Sequence, residues 1–222
     1  MPAATDLQEF VARRTTDVRL HDGLLIRIRP ILPEDRRELR RGYEQLSQES
    51  RRRRFLSPPG HLSKQMLDYL TGIDYRDHLA LVAFAIEDPG APGIAVARYV
   101  RLADEPDTAE AAVTVVDAYQ GRGVGTILMQ ALTVAAMENG LRRFSAYVLA
   151  ANPVLDMARA AQAEVTPDEP GVVRVVVDLP AAAGEFRDTA LHRLFRSLAR
   201  GELGLRTGDL RSRRRPRAAV RG

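Results

Sequence analysis

Residues 113–125 read V-T-V-V-D-A-Y-Q-G-R-G-V-G. Four β-favouring residues lead into a polar turn, then into a glycine-rich loop in which an apolar-periodic run begins. That order predicts a strand, a loop and the start of a helix. Gly121, Gly123 and Gly125 let the backbone turn tightly and approach a ligand closely. The first N–H groups of a helix lack intrahelical acceptors and sit at the positive end of its dipole, so such a loop suits a phosphate. Arg122 adds a formal positive charge.

Two familiar phosphate loops do not fit. A P-loop requires Lys followed by Ser or Thr after its glycines, and neither follows here. A dinucleotide fingerprint requires G-x-G-x-x-G after an opening strand, whereas this loop is spaced G-x-G-x-G and lies mid-chain.

The flanking sequence gives an ordered series of elements. Residues 24–29 (L-L-I-R-I-R) form a first strand, and Pro33, Glu34 and Asp35 open a helix that carries Leu39, Tyr43 and Leu46 on one face. The run S-Q-E-S-R-R-R-R-F-L (47–56) reads as a solvated helix face, with a nucleic-acid patch as the alternative. After Pro58, Pro59 and Gly60 comes a short helix over 63–70. Strands follow at 79–86, 94–102 and 109–116, separated by the turns D-P-G-A-P-G and D-E-P-D. Val124, Ile127, Leu128, Ala131, Leu132 and Ala135 make the apolar face of a helix ending at Asn139-Gly140. A strand at 144–149, a helix opened by Asn152-Pro153 and a last strand at 172–179 complete the series. Residues 1–22 read as a loosely attached arm.

Composition narrows the function. The chain has 222 residues, is 45% hydrophobic and contains no Cys, which removes disulfides, zinc–thiolate sites and thiol catalysis. No apolar stretch is long enough for a membrane helix, and the N-terminus lacks a signal pattern, so a cytoplasmic protein is expected. The net charge of +4 is local: residues 205–222 hold seven Arg and one Asp, and the other residues carry 26 basic and 28 acidic groups. That tail reads as disordered, with an anionic partner as one possible role. Phe186, Ala190, Leu191, Leu194 and Leu198 predict an additional helix at 184–199, suited to packing on the sheet or to self-association. The four His have no metal-ligand spacing, so no metal is expected; His78, before a strand in D-Y-R-D-H, is read as a surface or capping residue, with a place lining the acceptor site as the alternative.

Gln120, Gly123 and Gly125 satisfy Q/R-x-x-G-x-G/A. With the element order β-α-α-β-β-β-α-β-α-β, residues 24–180 resemble the GNAT superfamily of N-acetyltransferases. I-R-P-I-L-P-E-D (28–35), L-S-Q-E-S-R (46–51), V-A-R-Y-V-R (96–101) and A-E-A-A-V-T-V-V (109–116) resemble the acetyltransferase domains of bacterial protein-lysine acetyltransferases. The resemblance implies an α/β (α+β) GNAT fold: a mixed, mostly antiparallel sheet flanked by helices, here with a C-terminal helix (181–204) and a basic tail. It implies acetyl-CoA as co-substrate and protein lysine as acceptor. The alternatives are a small amine, or a catalytically weak domain that binds acyl-CoA as sensor or scaffold.

Acyl transfer to an amine requires a base, because a lysine ammonium has a pKa of about 10.4 and only the neutral amine attacks. Glu110, ten residues before Gln120, matches the family's catalytic glutamate, and its apolar neighbours suggest a desolvated, raised pKa. Read without the family, a surface acid at a strand start fits equally well. The resemblance implies oxyanion donors at the Val115 or Val116 N–H, freed by a bulge, and acetyl-CoA contacts from Gln120, Gly121, Arg122, Gly123, Val124, Gly125 and Thr126. Asn152 matches a family asparagine that contacts the cofactor; as a residue it is equally a helix N-cap. The family's general-acid Tyr and closing Leu-Gly-Phe are missing: the helix reads P-V-L-D-M-A-R-A-A-Q-A. Tyr119 and Tyr147 read as packing residues.

Overall fold

The computed structural model describes residues 4–55, 59–152, 154–160 and 162–180. The expected C-terminal helix and the Arg-rich tail lie outside these residues. An eight-stranded sheet carries the fold, in the order β1-β2-β3-β4-β5-β6-β8-β7. Its strands are β1 (Thr16–Arg19), β2 (Leu25–Pro30), β3 (His78–Ala85), β4 (Gly93–Arg101), β5 (Thr108–Val115), β6 (Arg143–Leu149), β7 (Glu164–Pro167) and β8 (Val172–Asp178). Every adjacent pair is antiparallel except β5 and β6, which are parallel. This is the expected α/β GNAT-type sheet, extended by one strand at each edge.

From residue 4 onward, the N-terminal segment is not the loose arm that the sequence suggests. Residues 4–13 form helix α1 (Ala4–Arg13), and β1 pairs with β2. The polar pattern T-D-V-R concealed this edge strand, which lies largely in solvent and joins β2 through a two-point ion pair, Arg27 to Asp17 at 2.7 and 2.8 Å. Phe10 of α1 meets the Tyr75 ring at 5.3 Å and anchors the helix.

Helix α5 (Val124–Glu138) covers one face of the sheet. Its Val124, Leu128, Leu132 and Ala135 pack with Ala109, Ala111, Val113 and Val115 of β5 in the main core. Gly140, at φ +77°, lets the chain leave the helix, as a left-handed C-terminal residue does. The other face is covered by α2 (Arg36–Glu44), α3 (Gln48–Phe55) and α4 (Lys64–Thr71). The turn into α2 is locked by Asp35, which accepts two bonds from Arg29 and one from the Leu32 N–H, all at 2.7 Å. A seven-residue helix, α6 (Val154–Ala160), leads into the β7–β8 hairpin.

Candidate active site

β5 is paired with β6 only over Thr108, Ala109 and Glu110. Beyond Glu110, β5 continues to Val115 against β4, while β6 continues to Leu149 against β8. The two parallel strands therefore part, and Glu110 stands at the vertex of the opening. The alternation of β5 places Ala109, Ala111, Val113 and Val115 under α5, so Glu110, Ala112 and Thr114 face α2–α4. Glu110 is 4% exposed, so it is not the surface acid of the alternative reading.

The expected bulge in β5 is absent. Its register with β4 runs unbroken from Ala109↔Arg101 to Val115↔Ala95, and the sheet's irregularity lies instead at Ala83/Phe84 of β3. The Val116 N–H donates to the Ile94 carbonyl at 2.8 Å, so Val116 is not an available donor. Antiparallel alternation then turns the N–H groups of Val113 and Val115 toward β6 and into the opening, past the last β5–β6 pair at Glu110↔Ser145. Parting of the strands, rather than a bulge, frees these amides.

The glycine loop closes the wide end of the opening. Gly121 and Gly123 have φ of +76° and +90°, the left-handed region that glycine occupies without strain. A Cβ built on either would meet nothing within 4 Å, so both backbones border open space. Gly125 differs: it is buried in the first turn of α5. Gly123 is the N-cap and no side chain caps α5, while the first helical carbonyl bond is from the Ile127 N–H to Gly123. The N–H groups of Val124, Gly125 and Thr126 thus lack acceptors among the described residues, at the positive end of a 15-residue helix.

Two loop side chains are already engaged. Gln120 donates from Nε2 to the Val115 carbonyl at 3.0 Å and to Ser50 Oγ at 3.3 Å, so it ties the loop to the end of β5. Arg122 is ion-paired with Asp22 of the β1–β2 turn and lies over the Tyr119 ring. The Arg122 hydrogen bond is the main cause that holds the Asp22 carboxyl below its usual range. Tyr119 in turn donates to Asp88 of the β3–β4 turn at 2.6 Å. The loop is fixed from two neighbouring turns. Asn152 sits just past β6, where its N–H donates to the Leu149 carbonyl and its own carbonyl accepts from the Leu155 N–H.

On the face shared by Glu110, α2 and α4 roof an apolar cleft lined by Leu39, Tyr43, Leu46, Val82, Phe84 and Val96. Two buried polar atoms on its floor, Arg98 Nε and Thr114 Oγ1, have no hydrogen-bond partner among the described residues. Arg98 is 1% exposed and lies between its cross-strand neighbours Ala80 and Ala112, whose small side chains leave it room. It donates to the Leu70 carbonyl at 3.1 Å and contacts His78 Nε2 at 3.0 Å. A guanidinium only donates, so His78 Nε2 accepts and its proton resides on Nδ1. Burial lowers the Arg98 pKa to about 10. His78 is therefore a buried partner of an arginine, not the surface residue expected. The helical layer above the sheet accounts for the burial of Arg98, which reaches the Leu70 carbonyl at the end of α4. Val100 and Ser145 extend a cross-strand row from His78 through Glu110, and Ser145 is also buried.

The splayed parallel pair, the glycine loop and the uncapped α5 define a class, and sequence comparison agrees with it. The chain belongs to the GNAT acetyltransferase family: the profile described as Acetyltransferase (GNAT) family matches residues 43–156. It is 39% identical over 165 residues to Acetyltransferase Pat of Mycolicibacterium smegmatis, covering 73% of this chain and 48% of that protein. A Pseudomonas aeruginosa acetyltransferase is 38% identical over 133 residues, 60% of this chain and 71% of that protein. The crystal structure of the GNAT domain of S. lividans PAT superimposes with a TM-score of 0.66 at 38% identity, covering 76% of this chain and 98% of that one. The chain thus spans about half the length of the M. smegmatis relative. Among the described residues, no helix is long and apolar enough to cross a membrane.

Proposed function

We propose that the chain transfers the acetyl group of acetyl-CoA directly to the side-chain amine of a protein lysine, with Glu110 as general base. The observation that carries this reading is the position of Glu110 at the vertex where β5 and β6 part, with uncapped amides at the other end of the same opening. The amides of Val124, Gly125 and Thr126, with the open backbones of Gly121 and Gly123, suit the pyrophosphate of the donor. The Val113 and Val115 amides suit the pantetheine arm and the thioester carbonyl. Gln120 and Arg122 contribute by holding the loop. Val116 has no part as a donor, and Asn152 stands close enough in sequence to the β6 end to border the donor.

The acceptor enters from the α2–α4 side. Glu110 takes a proton from its ammonium, directly or through a water. The neutral nitrogen forms a bond to the thioester carbon, and negative charge develops on the carbonyl oxygen near the β5 amides. Breaking of the C–S bond then releases CoA thiolate while the nitrogen gives up its second proton to solvent to leave the neutral amide; the thiolate takes its proton from solvent, since no tyrosine occupies the described part of α6.

The choice of protein lysine rests on similarity to relatives named Pat, a small amine being the competing acceptor. Calorimetric titration with acetyl-CoA, followed by mass spectrometry of a lysine peptide and of small amines incubated with enzyme and donor, tests the reading. It predicts donor binding and N-acetylated peptide. Binding without transfer to any amine would support a sensor or scaffold instead.

A further inference from the structure

Asp117 lies two residues past the end of the strand that holds Glu110. It reaches across to the start of α3. Asp117 Oδ2 accepts from the Ser47 N–H at 3.0 Å, and Oδ1 accepts from Ser47 Oγ at 2.9 Å and Ser50 Oγ at 2.8 Å. Gln120 Nε2 completes the cluster by donating to Ser50 Oγ while holding the Val115 carbonyl. One small network therefore joins the end of β5, the glycine loop and α3.

The network holds the start of α3. Of its residues with described side chains, Ser50 is the only buried one; Gln48, Glu49 and Arg52 are exposed and Arg51 is half-buried. Over its described side chains, residues 48–52, α3 buries no apolar group against the sheet and is held by polar contacts. Its other visible hold is Arg51, which lies over the Tyr43 ring at 4.7 Å and donates to the Glu44 carbonyl at 3.0 Å. Tyr43 and Leu46 roof the apolar cleft. A continuous chain of contacts thus runs from the glycine loop through Asp117 to α3, and through Arg51 to the roof of the cleft.

We infer that Asp117 is a positioning residue that couples donor binding to the acceptor cleft, so that a donor seated on the glycine loop orders α3 and tightens acceptor binding. The inference rests on the proposed use of loop and cleft by donor and acceptor. It requires a coupling between the two ligands, and thermodynamic linkage makes that coupling reciprocal. The polar network is its route because no apolar seam among the described residues joins α3 to the loop.

The test uses the full chain, free CoA as unreactive donor analogue, and a lysine peptide that the enzyme acetylates. Peptide affinity is measured with and without saturating CoA, for the wild type, Asp117→Ala, Ser50→Ala and Asp117→Glu. In the wild type CoA is expected to tighten peptide binding by about 5-fold or more, the lower end of usual coupling. Asp117→Ala should reduce that factor to near one and raise the peptide KM, with kcat at saturating peptide changed far less. Ser50→Ala should lower the factor partly, and Asp117→Glu should restore part of it. A merely structural role would lower stability without removing the coupling factor. An unchanged factor in folded Asp117→Ala overturns the inference, as does a wild type without coupling. If Asp117→Ala does not fold, an unchanged factor in Ser50→Ala decides against it equally. A wild type that binds no CoA at all would instead overturn the donor site, which separates the two failures.

Discussion

Replacing Gly123 by valine tests the donor loop where the structure is most explicit. Gly123 has φ of +90° and is the N-cap of α5. A Cβ there meets nothing within 4 Å, so the change creates no internal clash. Its structural cost is the left-handed backbone alone, about 1–2 kcal/mol for an L-residue. For a chain of this size that lowers the Tm by roughly 2–8 °C, so the variant should remain folded at 25 °C. The new side chain projects into the open space before the Val124, Gly125 and Thr126 amides. Loss of two hydrogen bonds to a charged phosphate costs about 3–6 kcal/mol, so acetyl-CoA affinity should fall by about 10²–10⁴-fold. Calorimetric titration, with circular dichroism to establish folding, reads both numbers. A folded variant with unchanged affinity would refute the placement of the pyrophosphate on this loop.

Other changes address the frame around the site. Asp35→Ala leaves the half-buried Arg29 guanidinium and the Leu32 N–H without their acceptor; urea denaturation should show a loss of about 3 kcal/mol. Tyr99 donates to the Arg76 carbonyl and accepts from Asn139, and burial above all raises its pKa to about 12. Its folded pKa exceeds its unfolded one, so its contribution is complete below pH 10 and is lost as pH rises toward 12. Stability should therefore fall by up to about 3 kcal/mol over that interval, and Tyr99→Phe should remove this part of the alkaline slope in denaturant titrations at pH 9 and pH 11.

Much of this architecture was legible because its signals are local. The glycine spacing at 121–125 announced the loop, and the apolar periodicity from Val124 announced α5. The β-branched and alanine-rich runs announced β3, β4 and β5. The polar edge strands β1 and β7 were not legible: T-D-V-R and E-V-T-P lack an apolar alternation, since an edge strand buries little. The parting of β5 from β6 was hidden for another reason. It depends on where pairing stops between strands separated by α5, and nothing within either strand encodes that limit. The Arg98–His78 contact is equally non-local. Glu110 was identified as a candidate by its distance from Gln120 and by family resemblance, but its burial came from the helices α2–α4 folding over its face.

The most direct test of the account compares wild type with Glu110→Gln on a lysine peptide at pH 7 and pH 9.5, at saturating acetyl-CoA. The amide is nearly isosteric with the carboxylate, so folding and donor affinity should be preserved. It cannot accept the ammonium proton, and turnover at pH 7 should fall by about 10²–10⁴-fold. As pH approaches the amine's own pKa of about 10.4, solvent supplies the neutral nucleophile and the deficit should shrink. An equal deficit at both pH values would assign Glu110 to orientation alone, and full activity of the variant at pH 7 would contradict its role in the reaction.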